Sequence, residues 1–180
     1  MPRVCVFCGS RTGSQPAYTE AASRLGAALA GRGIGLVFGA GQVGLMGVLA
    51  DAVLASGGEA IGVIPQALVD RELAHRQLTR LHIVESMHDR KALMAELADA
   101  FLALPGGYGT LEEFFEIVTW KQLRLHQKPI GLYNVAGFFD PLLAWIERAI
   151  AEDFIKPKHR DLLMVGADID PLLDRLLAAG

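Results

Sequence analysis

Only two cysteines stand in the 180 residues, too few for a disulfide framework, and their placement argues against redox chemistry. Cys5 and Cys8 spell C-x-x-C, but reactive pairs of that spacing open a helix, whereas this pair runs along an apolar strand that turns its side chains to opposite faces. Two buried apolar thiols of a reducing compartment are expected. Basic charge is scarce as well: 17 Lys and Arg against 20 Asp and Glu leave a net charge of −3, without the field that draws a protein to nucleic acid or an anionic membrane. The partner expected is therefore a small molecule, with no nucleic acid and no membrane. No apolar run reaches the ~18 residues of a membrane span, and the chain enters its first apolar stretch without a charged leader, which predicts a cytoplasmic protein. His75, His82, His88, His126 and His159 are scattered, none beside a Cys or carboxylate at ligand spacing, so no metal is expected.

Apolar residues are plentiful, at 52%, enough for the core of one compact domain spanning 1–180. Short β-rich apolar runs alternate with helix-length amphipathic segments. That alternation predicts an α/β fold, a Rossmann-like doubly wound parallel sheet of about seven strands with helices on both faces. Strands are expected at 3–7, 35–38, 60–64, 81–84, 100–104, 130–133 and 163–165, and helices at 16–31, 44–56, 87–98, 111–126, 138–150 and 171–178. The connection from Pro65 to Arg80 is long enough to be a functional loop.

In such sheets ligands bind beyond the carboxyl ends of the strands, where strand order reverses. Three glycine-bearing turns fall at such ends: 9–14, 39–44 and 106–110. The last is the most informative. In Leu104-Pro105-Gly106-Gly107-Tyr108-Gly109-Thr110-Leu111-Glu112-Glu113 a buried strand runs through a glycine turn into a helix, so free N–H groups and the positive end of a helix dipole face a ligand. A phosphate fits that description, and two carboxylates in the next turn suggest chemistry beside it. Glu113 also has a plain structural reading, as the acid of a Thr110–Glu113 capping box. Leu111, Phe114, Phe115 and Val118 form the expected core face of this helix; its remaining apolar residues predict a second covered face, supplied by another subunit.

The turn 39–44 matches G-x-G-x-x-G, with Glu59 as a possible ribose acid, but it follows the second strand and Glu59 starts the third, so NAD binding is disfavoured against simple tight packing. At 86–91, Ser86 caps a helix with Asp89 three residues on. Arg90 and Lys91 then oppose the helix dipole, which calls for a compensating anion: a neighbouring acid such as Glu85 or Asp89, or a bound phosphate.

Met87-His88-Asp89-Arg90-Lys91, the run from Pro105 to Glu113, and Val118-Thr119-Trp120 together resemble the LONELY GUY (LOG) family of cytokinin riboside 5′-monophosphate phosphoribohydrolases, often labelled lysine decarboxylases. The likeness covers nearly the whole chain, from Cys8-Gly9-Ser10 through Gly44-Leu45-Met46-Gly47 to Lys128-Pro129-Ile130-Gly131. It implies hydrolysis of the N-glycosidic bond of an N6-modified adenosine 5′-monophosphate to free base and ribose 5-phosphate, with no cofactor, in a cytoplasmic homodimer. It implies Arg90 and Glu113 as the catalytic pair, and Glu72, Lys91, Gly107, Tyr108, Gly109, Thr110, Leu111, Glu112 and Thr119 as substrate contacts. Ser10, Gly39, Gly41 and Gly44 of the other two turns, and Met87, complete the expected site. The chain departs from the family in reading Gly39-Ala40-Gly41 where three glycines are usual, and Gln42 where a small polar residue often stands. Two other functions fit the same residues: a non-catalytic nucleotide-binding module, and a general AMP nucleosidase.

Overall fold

The computed structural model describes residues 1–69, 71 and 74–179. Seven strands form one sheet: β1 (Arg3–Phe7), β2 (Gly35–Phe38), β3 (Ala60–Pro65), β4 (Arg80–Val84), β5 (Ala100–Ala103), β6 (Ile130–Tyr133) and β7 (Leu163–Gly166). All pairings are parallel, in the order β4-β3-β2-β1-β5-β6-β7. The chain thus winds outward from β1 to β4, returns to pair β5 with β1, and winds out the other way. The reversal lies between β1 and β5, and it is there that such a sheet leaves a crevice. The fold class is the expected doubly wound α/β.

Among the described residues seven α-helices accompany the sheet: α1 (Pro16–Gly31), α2 (Gly44–Ala55), α3 (Gln66–Val69), α4 (Met87–Leu97), α5 (Tyr108–Gln122), α6 (Asp140–Ala151) and α7 (Ile169–Ala178). Strand residues alternate between two cores. Val4, Val6 and Cys8 join α1, α2 and α7 on one face, while Cys5 and Phe7 join Met94 of α4, Phe114 and Ile117 of α5 and Phe139 on the other. Both thiols are free and buried on opposite faces, as the strand period requires. Among the described residues no helix is long and apolar enough to cross a membrane.

Element ends differ from expectation where turn chemistry decides them. Helix α5 begins at Tyr108, capped by Gly107, three residues before the expected 111. Thr110 therefore sits inside the first turn, buried, and no side chain caps this helix, so the Thr110–Glu113 capping box is not formed. The core face of α5 is Thr110, Phe114 and Ile117; Leu111, Phe115 and Val118 are only half-buried, because Phe115 turns toward Trp145 of α6, ring centroids 5.9 Å apart. The helix stops at Gln122, short of 126, and Arg124 beyond it is left-handed at φ 63°. By contrast the Ser86–Asp89 capping box forms as read, each partner bonded to the other's backbone N–H at 3.1 Å.

The three glycine turns meet. Gly9 N–H donates to the Pro105 carbonyl at 3.0 Å, and the Gly9 carbonyl accepts from Leu45 N–H at 3.0 Å. Gly44 sits at φ +68°, and a Cβ there would lie 2.2 Å from the Ser10 carbonyl carbon. Gly44→Ala is therefore expected to lose about 3 kcal/mol from backbone strain and overlap together, lowering Tm by roughly 6–12 °C. Thermal unfolding by circular dichroism checks this, and an unchanged Tm contradicts it.

Candidate functional site

The site is built at the carboxyl ends of β1, β2, β3 and β5. From β5 the chain passes through Pro105 and Gly106 into α5, whose first N–H groups are unbonded at the crevice. Two kinds of glycine occur here. Gly106 is required by packing, since a Cβ would lie 2.0 Å from Thr110 Oγ1. Gly107 and Gly109 are not: a Cβ on either meets nothing within 4 Å, and neither has a positive φ. Gly107 is the N-cap, a position glycine fills well, but at Gly109, inside the first turn, glycine costs about 0.5–1 kcal/mol over alanine, so the space it leaves open beside the helix N-terminus is what needs explaining. An anion approaching the backbone explains it. Tyr108, between them, is 96% exposed at the mouth.

The glycines of the second turn have reasons inside the protein. A Cβ at Gly39 would strike Arg90 Nη2 at 2.1 Å, and one at Gly41 would strike Met46 Cε at 2.7 Å. Glu59, the acid that an NAD site would use, sits before β3 at the opposite end of the sheet and binds Arg3 Nε at 3.1 Å. This turn therefore does not serve a dinucleotide.

Arg90, in the first turn of α4, is only 5% exposed. It is not a surface partner of Glu85 or Asp89; its side chain runs under the strand ends, where Nε donates to the Val63 carbonyl at 3.1 Å and Nη2 to the Gly39 carbonyl at 2.8 Å. Glu113 is half-buried in the second turn of α5, between Glu112 and Glu116. Burial pushes the Cys5 thiol well up, Glu113 pushes it further, and Arg90 opposes, so the carboxylate and the guanidinium both act on one buried atom of β1. Glu113 raises Cys8 too, after burial. Lys91, next to Arg90, meets Glu112 and Glu116, which flank Glu113, so Arg90 and Glu113 stand at one junction of α4 with the first turns of α5, and each is engaged by protein partners.

Lys91 differs from the expectation of a cation open to substrate. It is buried and clamped between two acids of α5, donating to Glu112 Oε1 and lying 3.2 Å from Glu116 Oε2. Burial alone would lower its pKa, but the hydrogen bonds it donates to Glu112 and Glu116 outweigh it and hold the ammonium above its usual range. Glu116 was not expected in the site; its signal was the i, i+3 relation to Glu113 on one helix face. The clamp ties α4 to α5 beside Arg90 and Glu113. Met87 is exposed, its sulfur 3.8 Å from Arg90 Nη1. Ser10, also exposed, lines a cleft of about 200 Å³ with Gly106, Gly107 and Tyr18. Leu111 is half-buried behind the cradle. Thr119 is not brought to the cradle: nine residues beyond Thr110, about 14 Å along the helix, it lines a separate cleft with Phe115, Val118 and Trp145. Glu72 lies outside the described residues. Among the described residues no group of three or more His, Cys, Asp or Glu is placed to hold a metal.

The arrangement defines a doubly wound α/β protein whose three glycine turns meet beside the glycine-capped start of α5 at the switch point. A family model described as "possible lysine decarboxylase" matches residues 46–176. The probable cytokinin riboside 5′-monophosphate phosphoribohydrolase LOGL5 of Oryza sativa subsp. japonica is 51% identical over 174 residues, covering 97% of this chain and 71% of that one. The cytokinin riboside 5′-monophosphate phosphoribohydrolase LOG7 of Arabidopsis thaliana is 48% identical, covering 97% and 80%. This chain belongs to the LOG family. Among solved structures, the molybdenum cofactor binding protein of Rippkaea orientalis superposes with TM-score 0.74 at 19% identity over 98% of this chain and 96% of that one, a likeness of fold alone. The decarboxylase description implies pyridoxal chemistry, which needs a lysine that gives up its proton. The residues do not fit it: Lys91 is held charged by two acids, Lys128 donates to the Ala95 carbonyl at 2.7 Å, Lys121, although burial lowers its pKa, lies at the far end of α5 from the glycine turn, and Lys156 and Lys158 lie at the short 3₁₀ turn before β7.

Proposed function

We propose that the chain hydrolyses the N-glycosidic bond of an N6-modified adenosine 5′-monophosphate, releasing the cytokinin-type base and ribose 5-phosphate without a metal or organic cofactor. The observation that carries this reading is the pairing of open glycines at the α5 N-terminus with the α4–α5 junction, where Lys91 joins Glu112 and Glu116 and so brings Arg90 and Glu113 beside the turn. The 5′-phosphate sits on the N–H groups of Gly107 to Thr110, and its binding energy places the ribose at the acid–cation pair. As the C1′–N bond breaks, positive charge grows on the ribose. The Glu113 carboxylate stabilises that charge and aligns the water that adds to C1′, while the base leaves with a proton. Arg90, fixed by two backbone carbonyls, holds Glu113 and the ribose in register. Lys91 with Glu112 and Glu116 keeps the two helices at the distance this requires.

Trp145 of α6 is 55% and Phe154, just past its end, 86% exposed along one cleft, which supports a homodimer through the α5–α6 face. Thr119, in the cleft beside Trp145, lies on that face. The reading places the chain in a reducing cytoplasm, in keeping with two unpaired buried thiols.

The test is to incubate purified protein with isopentenyladenosine 5′-monophosphate and with AMP and to follow products by chromatography. Base and ribose 5-phosphate in equal amounts, faster from the N6-modified nucleotide, are expected. Faster release from AMP would make the chain a general AMP nucleosidase. Tight binding with no base from either would make it a nucleotide-binding module.

A further inference from the structure

His75 is buried at 3% exposure in the connection between β3 and β4, and nothing in the proposed chemistry uses it. Both its ring nitrogens are engaged. Nδ1 accepts from the Gln77 N–H at 3.2 Å, which leaves the proton on Nε2, 2.9 Å from Asp51 Oδ1 on α2. The imidazole therefore pins the connection to α2. The backbone of the same residue does something further: His75 N–H donates to the Ala40 carbonyl at 2.9 Å, beside an antiparallel bridge between Ala74 and Gly41.

That carbonyl belongs to a turn under strain. Ala40 is fully buried and left-handed at φ 64°, which costs an alanine about 1–2 kcal/mol. The carbonyl immediately before it, that of Gly39, is the one that accepts from Arg90 Nη2 at 2.8 Å. Two adjacent peptide units of one strained turn thus face two ways, one held by His75 and the other holding Arg90. A strained backbone keeps its conformation only where neighbours over-determine it.

We infer that His75 is a positioning residue for the reaction: by clamping the connection to Asp51 it fixes the 39–41 turn, and through the Gly39 carbonyl it sets the place of the Arg90 guanidinium. The kinetic side of this rests on the function proposed above; the structural side does not.

The experiment compares His75→Ala and His75→Gln in the wild-type and Arg90→Ala backgrounds. His75→Ala should lower kcat about tenfold, the effect of a misplaced catalytic group, with inorganic phosphate binding at the α5 cradle unchanged. His75→Gln, whose side-chain amide still reaches Asp51, should recover most of the loss. In the Arg90→Ala background His75→Ala should add nothing, because a residue acting through Arg90 has no further effect once Arg90 is gone. An equal loss in both backgrounds, or no loss in either, overturns the inference. The second readout needs no activity: the Arg90 side-chain Nε–H resonance, assigned by its disappearance in Arg90→Lys, should shift or broaden in His75→Ala and return toward its wild-type position in His75→Gln. If no nucleotide releases base, the proposed function fails and this resonance alone decides; an Arg90 signal indifferent to His75→Ala overturns the positioning role.

Discussion

Glu113→Gln is expected to lower kcat about 10³-fold, with the dissociation constant for nucleotide monophosphate nearly unchanged. The amide fills the same space and keeps the α5 helix, whose first turn takes no cap from this side chain. What it removes is the negative charge opposite the ribose as C1′ becomes cationic, a loss worth roughly 10²–10⁴ in rate. Single-turnover base release beside equilibrium binding separates the two quantities. Full turnover in the variant would show that Glu113 only supports the helix, and lost binding would place it on the ground-state nucleotide.

Arg90→Lys should be almost as damaging, about 10²-fold in kcat, although charge is conserved. The guanidinium donates through Nε to Val63 and through Nη2 to Gly39 while facing the same crevice as Glu113. A lysine ammonium is a point charge on a flexible stem and cannot hold both carbonyls and the crevice at once. A buried carbonyl left unpaired costs about 1–3 kcal/mol, so a fall in Tm should accompany the fall in rate. Near-wild-type kcat in Arg90→Lys would reduce Arg90 to a source of positive charge.

The architecture was legible because most strands are short apolar runs with glycine or proline at or just past their ends, as at Gly9, Gly39, Pro65, Pro105 and Gly166, and the parallel order follows from helices placed between strands. The convergence of the three glycine turns was legible too, since all fall at strand carboxyl ends. What the sequence hid was contact between distant segments. Lys91 looks like a cation for substrate until α5 brings Glu112 and Glu116 against it. Thr110-Leu111-Glu112-Glu113 has the form of a capping box, but Gly107 starts the helix three residues early and moves Thr110 into the core, where it packs on Gly106. Gly39 and Gly41 look like ligand glycines, and the fold gives them a further reason, as the floor for Arg90 and Met46. His75 gave no local signal, because its partners on α2 and in the 39–41 turn are fixed only by the fold.

The central claim is that the cradle at the α5 N-terminus makes the 5′-phosphate the handle that brings the glycosidic bond to Glu113 and Arg90. The ratio of kcat/KM for a nucleoside 5′-monophosphate to that for the same nucleoside, read by base release, tests it most directly. A ratio of about 10³ or more is predicted, since without the phosphate the binding energy that orients the ribose is lost. Equal values for the two substrates would contradict the account.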